Sequence, residues 1–251
     1  MIDFVGAGPG AADLITVRGK EKLEQADIII YAGSLVNPAL LSYAKLSCEI
    51  YDSASMTLEE VIAVMERGAR EGKNVVRLHT GDPCIFGAIR EQMDLLDEKQ
   101  IAYQVVPGVS SFLGAAASLH AEFTLPDVSQ TVILTRMAGR TPVPEREEIA
   151  SLASHGATMV IFLSASMLGK LSQRLQEGGY RADTPAAIVY KATWPDEKVV
   201  RTTVGELEQA AKAADISKTA LILVGDFLGR EYARSKLYDP TFSHGYREAK
   251  S

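Results

Sequence analysis

Short apolar runs alternate with amphipathic stretches along most of the chain. Residues 2–5, 28–31, 74–78 and 102–106 are apolar, brief and bounded by turn residues, a pattern that predicts strands. Between them, "TLEEVIAVMERGARE" opens with Thr57 and Glu60 at capping-box spacing and sets Leu58, Val61, Met65 and Ala69 along one helical face. "AIREQMDLLDEK" repeats the period with Ile89, Met93 and Leu96. Strand–helix alternation of this kind predicts a mainly parallel α/β sheet.

The pattern breaks at "HAEFTLPDVS", which has a proline and no period, and a domain junction is expected there. Strands are expected again at 131–135, 158–163, 186–190, 199–203 and 220–224, with helices at "SMLGKLSQRL" and "VGELEQAAKAA". The later strands are less regularly separated by helices, and "VYKATWPDEKVVRTT" has the form of an antiparallel pair, so the second sheet should be mixed. The expected organisation is therefore an α/β domain over residues 1–119, a second over 120–240, and a surface tail over 241–251.

Composition narrows the function. The chain has 251 residues, 47% apolar and 23% charged, an ordinary globular balance with a net charge of −6. No general basic surface is available for nucleic acid, although a few local arginines could still hold a small anion. Cys48 and Cys84 have no paired spacing, so neither a disulfide framework nor a protein-bound metal is expected. No apolar run has the length of a membrane span and no secretion leader is visible, so the expectation is a cytoplasmic protein with no membrane partner.

The chemistry concentrates in three turns. "FVGAGPGAADLIT" carries Gly6-x-Gly8-x-x-Ala11 after a strand, the outline of a dinucleotide-binding loop. That fold also needs an acid at the end of the second strand, where Ala32-Gly33-Ser34 stands instead, and Pro9 removes an N–H from the loop. "HTGDPCIFG" follows the strand at 74–78; its Gly81 admits close approach and its Asp82 can accept hydrogen bonds, though Gly, Asp and Pro also favour turns for local reasons. "VPGVSSF" follows the strand at 102–106, and Ser110 and Ser111 either cap the next helix or offer hydroxyls to a ligand.

Taken together, "GAGPG...DLIT", "GDP" and "PGVSS", followed by "VIFLSA", "YKATWPDEKVVRTT" and "TALILVG", resemble the tetrapyrrole methylase family over nearly the whole chain. Within it, "YAGSLVNP", "FTLPDVSQTVILTRMAGRTPVPE" and "SKLYDPTFSHGYR" are similar to members of the cobalamin pathway. The resemblance implies two α/β domains, a largely parallel first sheet and a mixed second one, with a cleft for S-adenosylmethionine between them. It implies C-methylation of a tetrapyrrole, with the donor leaving as S-adenosylhomocysteine, and a homodimer. Cofactor contacts carried over from the family are Pro9, Gly81, Asp82, Ile85, Phe86, Ser110, Ser111, Leu163, Tyr190, Ala192 and Ala220; Ala192 stands where many relatives have glycine.

A tetrapyrrole rich in carboxylates needs local cations, and Arg136, Arg140 and Lys191 are the candidates, since guanidinium meets carboxylate in a fork. Asp82 and Glu122 are the candidates for a general base. His79, His120, His155 and His244 are scattered and read as structural. Two other classes remain open at this stage: an NAD(P)-dependent oxidoreductase, which lacks its acid, and a noncatalytic tetrapyrrole or nucleotide carrier.

Overall fold

The computed structural model describes residues 1–249 and divides into two compact units. The first comprises Met1–Ala115 together with Lys191–Glu197; the second comprises Ala116–Tyr190 and the residues from Lys198 onward. The segment Lys191–Glu197 thus joins the first unit although both its neighbours along the chain belong to the second. The expected tail falls at residues 241–249, mostly exposed, with 250 and 251 outside the described residues.

The first unit is built on β1 (Ile2–Gly6), β2 (Ile28–Tyr31), β3 (Glu49–Asp52), β4 (Val75–His79) and β5 (Tyr103–Val106), all parallel, in the order β3-β2-β4-β1-β5. Strands buried on both faces read as continuous apolar runs, and β1 and β4 are buried throughout. One face carries Ile2, Phe4, Ile28, Ile30 and Val75 against α2 (Leu58–Arg70) and α3 (Arg90–Glu98). The other carries Val5, Ile29, Val76 and Leu78 against Leu23 of α1 (Val17–Gln25) and Leu40. The α2 capping box is complete: Glu60 N–H donates to Thr57 Oγ1 at 3.3 Å, and Thr57 N–H donates to Glu60 Oε2 at 2.7 Å.

After α4 (Ser111–Leu119), the second unit contains β6 (Val132–Arg136), β7 (Thr158–Phe162), β8 (Pro185–Tyr190), β9 (Lys198–Thr203) and β10 (Ala220–Val224). Its order is β6-β7-β10-β8-β9; β6 and β7 are parallel and the remaining pairs antiparallel, so this sheet is mixed. Helices α5 (Ile149–Ala153), α6 (Leu168–Glu177) and α7 (Leu207–Ala213) pack Ile149, Leu171, Leu175 and Leu207 onto Met159, Ile161, Ile188 and Ile222. Among the described residues no helix is long and apolar enough to cross a membrane.

Candidate active site

In an open parallel sheet, ligands bind outside the carboxyl ends of the strands where the order reverses. Here that point lies between β4 and β1: the chain leaves β1 toward β2 on one side and leaves β4 toward β5 on the other. The glycine loop leaves β1, the Gly81-Asp82-Pro83 turn leaves β4, and Pro107–Ser111 leaves β5. Because β4, β1 and β5 are neighbours, all three turns singled out in the sequence stand side by side.

Backbone contact binds them. Gly8 and Gly81 exchange hydrogen bonds, Gly81 N–H to Gly8 O at 2.9 Å and Gly8 N–H to Gly81 O at 3.2 Å. Ala7 N–H donates to His79 O at 2.7 Å. A Cβ on Gly6 would stand 2.5 Å from Gly108 Cα and 2.6 Å from Gly81 O, so the three loops touch at glycine backbone. Gly8 and Gly81 also hold φ of +80° and +61°, the left-handed region that favours glycine.

Asp82 ties two of these loops together. Its Oδ1 accepts from Cys84 N–H and its Oδ2 from Gly108 N–H, both at 2.8 Å. With both oxygens engaged by backbone donors, its observed work is to hold the loop, and no proton acceptor role follows from the geometry. Beyond it, Phe86 is about half exposed at 48%, with φ +55°, and Ala88 has φ +49°. Ser110 is buried at the entry to α4, where its carbonyl accepts from Leu113 N–H at 3.0 Å.

The segment Lys191–Glu197 completes this cluster within the first unit. Thr193 Oγ1 accepts from Ala11 N–H at 3.0 Å, and Trp194 lies against Gly10, where a Cβ would stand 2.5 Å from the indole Nε1 and 2.7 Å from Ala192 O. Gly114 faces the Pro9 ring, 2.7 Å from a would-be Cβ to Pro9 Cβ. Lys191 pairs with Asp196 at 2.7 Å and lies 5.1 Å from the Trp194 ring centroid. Thr193, Trp194 and Gly108 were not singled out from the sequence; partners as distant along the chain as Ala11 and Thr193 leave no local signal.

The N–H groups of Ala7, Gly8 and Ala11 are therefore engaged by protein acceptors, and Pro9 has none. A phosphate needs such groups free. The loop offers small size and close approach instead.

In the second unit, Leu163 follows β7, Tyr190 ends β8 opposite Ala220 at the start of β10, and Arg136 ends β6 opposite Phe162. These four expected residues lie at the same end of the strands in their sheet. Leu163 is 68% exposed with φ +53°, an unusual combination for a large apolar residue.

The sequence profile of the Tetrapyrrole (Corrin/Porphyrin) Methylases matches residues 1–208. The chain belongs to this family. Among tetrapyrrole methylases it is 56% identical to a cobalt-precorrin-4 C(11)-methyltransferase of Methanocaldococcus jannaschii, over 98% of this chain and 95% of the other. It is 44% identical to a precorrin-4 C(11)-methyltransferase of Pseudomonas aeruginosa, over 97% of each. The X-ray structure of a cobalt precorrin-4 methyltransferase superposes with a TM-score of 0.89 at 49% identity, covering 91% of this chain and 96% of that one.

For a tetrapyrrole methylase the placement of the cations matters. Arg136 turns its guanidinium onto its own loop: Nη1 donates to Met137 O at 3.1 Å and Thr141 O at 3.2 Å, and Nη2 donates to Pro142 O at 2.8 Å. Arg140 lies on that same loop and is exposed, as is Glu122 after α4. The structure thus separates the two arginines: one shapes the loop, the other stands on it.

Proposed function

We propose that the chain is an S-adenosylmethionine-dependent methyltransferase acting on C11 of cobalt-precorrin-4 or precorrin-4, a step toward cobalamin. One observation carries the reading of the site: the glycine loop of β1 meets the turns of β4 and β5 with the N–H groups of Ala7, Gly8 and Ala11 already bonded to protein. Such a floor suits a ligand held by shape and backbone contact rather than by its phosphates. Substrate identity is supported by the two relatives above, one a cobalt-precorrin-4 and the other a precorrin-4 C(11)-methyltransferase. The higher identity to the cobalt-precorrin-4 enzyme, 56% against 44%, favours the cobalt-bearing substrate.

S-adenosylmethionine supplies a methyl group already activated by its sulfonium. The chain then needs to provide orientation and exclusion of water rather than a covalent nucleophile. Pro9, Gly81, Asp82, Ile85, Phe86, Ser110, Ser111 and Ala192 are the first unit's donor-holding residues in this reading, and Leu163, Tyr190 and Ala220 are the second unit's. Ser110 fits because it is a buried polar residue beside Gly81, whose would-be Cβ lies 3.4 Å from Ser110 Cα. Arg140 takes a substrate carboxylate from the loop that Arg136 braces, and Lys191 contributes from its pair with Asp196. The enzyme acts as a cytoplasmic homodimer, which sedimentation of the purified protein tests.

The deciding experiment incubates the protein with S-adenosylmethionine and each tetrapyrrole, with and without cobalt, followed by mass spectrometry. A gain of one methyl on (cobalt-)precorrin-4 is expected. Methylation of uroporphyrinogen or another precorrin in its place overturns the substrate assignment. Thermal stabilisation by NAD but not by S-adenosylhomocysteine overturns the methyltransferase reading itself.

A further inference from the structure

Behind the turn that leaves β4 lies a buried polar connection. Arg77, in the middle of β4, is only 7% exposed, and Gln92 of α3 only 5%. Arg77 Nε donates to Gln92 Oε1 at 3.2 Å, and its Nη1 donates to Ile30 O at 3.2 Å. Gln92 Nε2 in turn donates to Ala88 O at 3.0 Å. Burial lowers the guanidinium to about 10, so it stays charged at neutral pH. A buried cation held by neutral acceptors is costly to keep. Packing alone gives no reason for an arginine here.

The loop at the other end of this connection gives one. Between Asp82 and Ala88 the backbone enters the left-handed region at two non-glycine residues, Phe86 and Ala88. It also folds back so tightly that a Cβ on Gly87 would overlap the Pro83 carbonyl. Strained residues persist where the surroundings over-determine them. At the loop's start that task falls to Asp82, through Cys84 N–H and Gly108 N–H. At its end stands the Gln92 amide on Ala88 O, and Gln92 is oriented by Arg77.

We propose that Arg77 and Gln92 are positioning residues: through Ala88 they hold the Phe86–Ala88 loop in its strained form and thereby set affinity for the methyl donor. The donor half of this inference rests on the function proposed above; the loop half does not. Neither residue reaches the loop tip, and both act through the Ala88 carbonyl.

Two variants separate this from a role in stability alone. Gln92→Glu keeps an acceptor for Arg77 Nε and turns the amide donor into an oxygen facing Ala88 O. Arg77→Met removes the buried charge and leaves Gln92 without its anchor. Hydrogen exchange of the Phe86–Ala88 amides is measured in each unliganded protein, with β1 and β4 amides as internal reference, and S-adenosylhomocysteine affinity is measured by calorimetry.

Both variants should retain folded β1 and β4 protection, exchange faster in the loop, and bind S-adenosylhomocysteine about tenfold more weakly, equivalent to about 1.4 kcal/mol. Loop exchange unchanged from the parent in both variants overturns the proposal. Faster loop exchange with unchanged affinity breaks the link to the donor. If the parent protein binds no S-adenosylhomocysteine, the proposed function fails, and the exchange comparison still decides whether the pair holds the loop.

Discussion

Replacing Gly6 with alanine adds one carbon where three loops meet, and its cost can be worked from the geometry. The new Cβ would stand 2.5 Å from Gly108 Cα, 2.6 Å from Gly108 N and 2.6 Å from Gly81 O. Non-bonded carbons rest at about 3.5–4 Å, so the overlap is roughly an ångström. All three of these neighbours are backbone atoms, and no side chain can rotate away. The flanking strands are also fixed, with Gly6 in register with His79 and Val5 in register with Val106.

Overpacking costs about 1–3 kcal/mol and occasionally more; with rigid neighbours about 3 kcal/mol is expected for Gly6→Ala. For a chain of this size that corresponds to roughly 6–12 °C in Tm. Differential scanning calorimetry reads the loss, with Gly245→Ala as control, since a Cβ at Gly245 meets nothing within 4 Å. S-adenosylhomocysteine binding, measured well below the variant's Tm, should weaken as Gly81 and Gly108 are pushed apart. A Tm within a degree or two of the control, about 0.5 kcal/mol or less, refutes the three-glycine contact as the reason for Gly6.

Burial, with the Arg77 charge beside it, lowers the His79 imidazole from 6.5 to about 3, and its Nε2 has no hydrogen-bond partner among the described residues. The folded state keeps it neutral while the unfolded state takes up the proton below 6.5. The parent should therefore lose up to about 1.4 kcal/mol per pH unit from this group as pH falls through that window, and urea midpoints of His79→Leu should show a correspondingly flatter slope. Arg136→Ala should cost about 1–2 kcal/mol through three unmet carbonyls, whereas Arg140→Ala should stay within about 0.5 kcal/mol and raise KM for the tetrapyrrole alone. Equal stability loss in both would remove the distinction between brace and contact. Thr57→Ala should lose about 1 kcal/mol by breaking the α2 capping box, read from chemical denaturation; Thr57→Ser should recover most of it.

What the chain discloses locally and what it withholds can be traced to particular residues. The runs of β1, β2 and β4 are legible because strands buried on both faces are mostly apolar, with Asp3 in β1 and Arg77 and His79 in β4 as the polar exceptions. Strand β3, "EIYD", escapes notice: it is an edge strand of alternating half-buried and exposed residues, with Glu49 bonded to Arg67, Lys73 and Tyr51 rather than to a core. Helix α1 is similarly masked, since only Gly19 and Leu23 of "VRGKEKLEQ" are buried. The three turns can be picked out by their glycines and prolines, but that β4, β1 and β5 are neighbours is a property of the sheet. The seat of Thr193 and Trp194 on the opening loop is less visible still. It depends on a hairpin tip reaching backbone 182 residues away along the chain.

That seat has a spectroscopic consequence. Trp194 is the only tryptophan in the protein, so the indole emission of the whole chain originates where the hairpin tip rests on Gly10. Fluorescence-detected unfolding will therefore follow the release of that tip, while far-ultraviolet circular dichroism follows the two sheets. Non-coincident curves from the two probes would date the loosening of the glycine loop relative to the sheets, since separate transitions mark separate cooperative units. The same emission gives a label-free titration signal from the hairpin tip against Gly10.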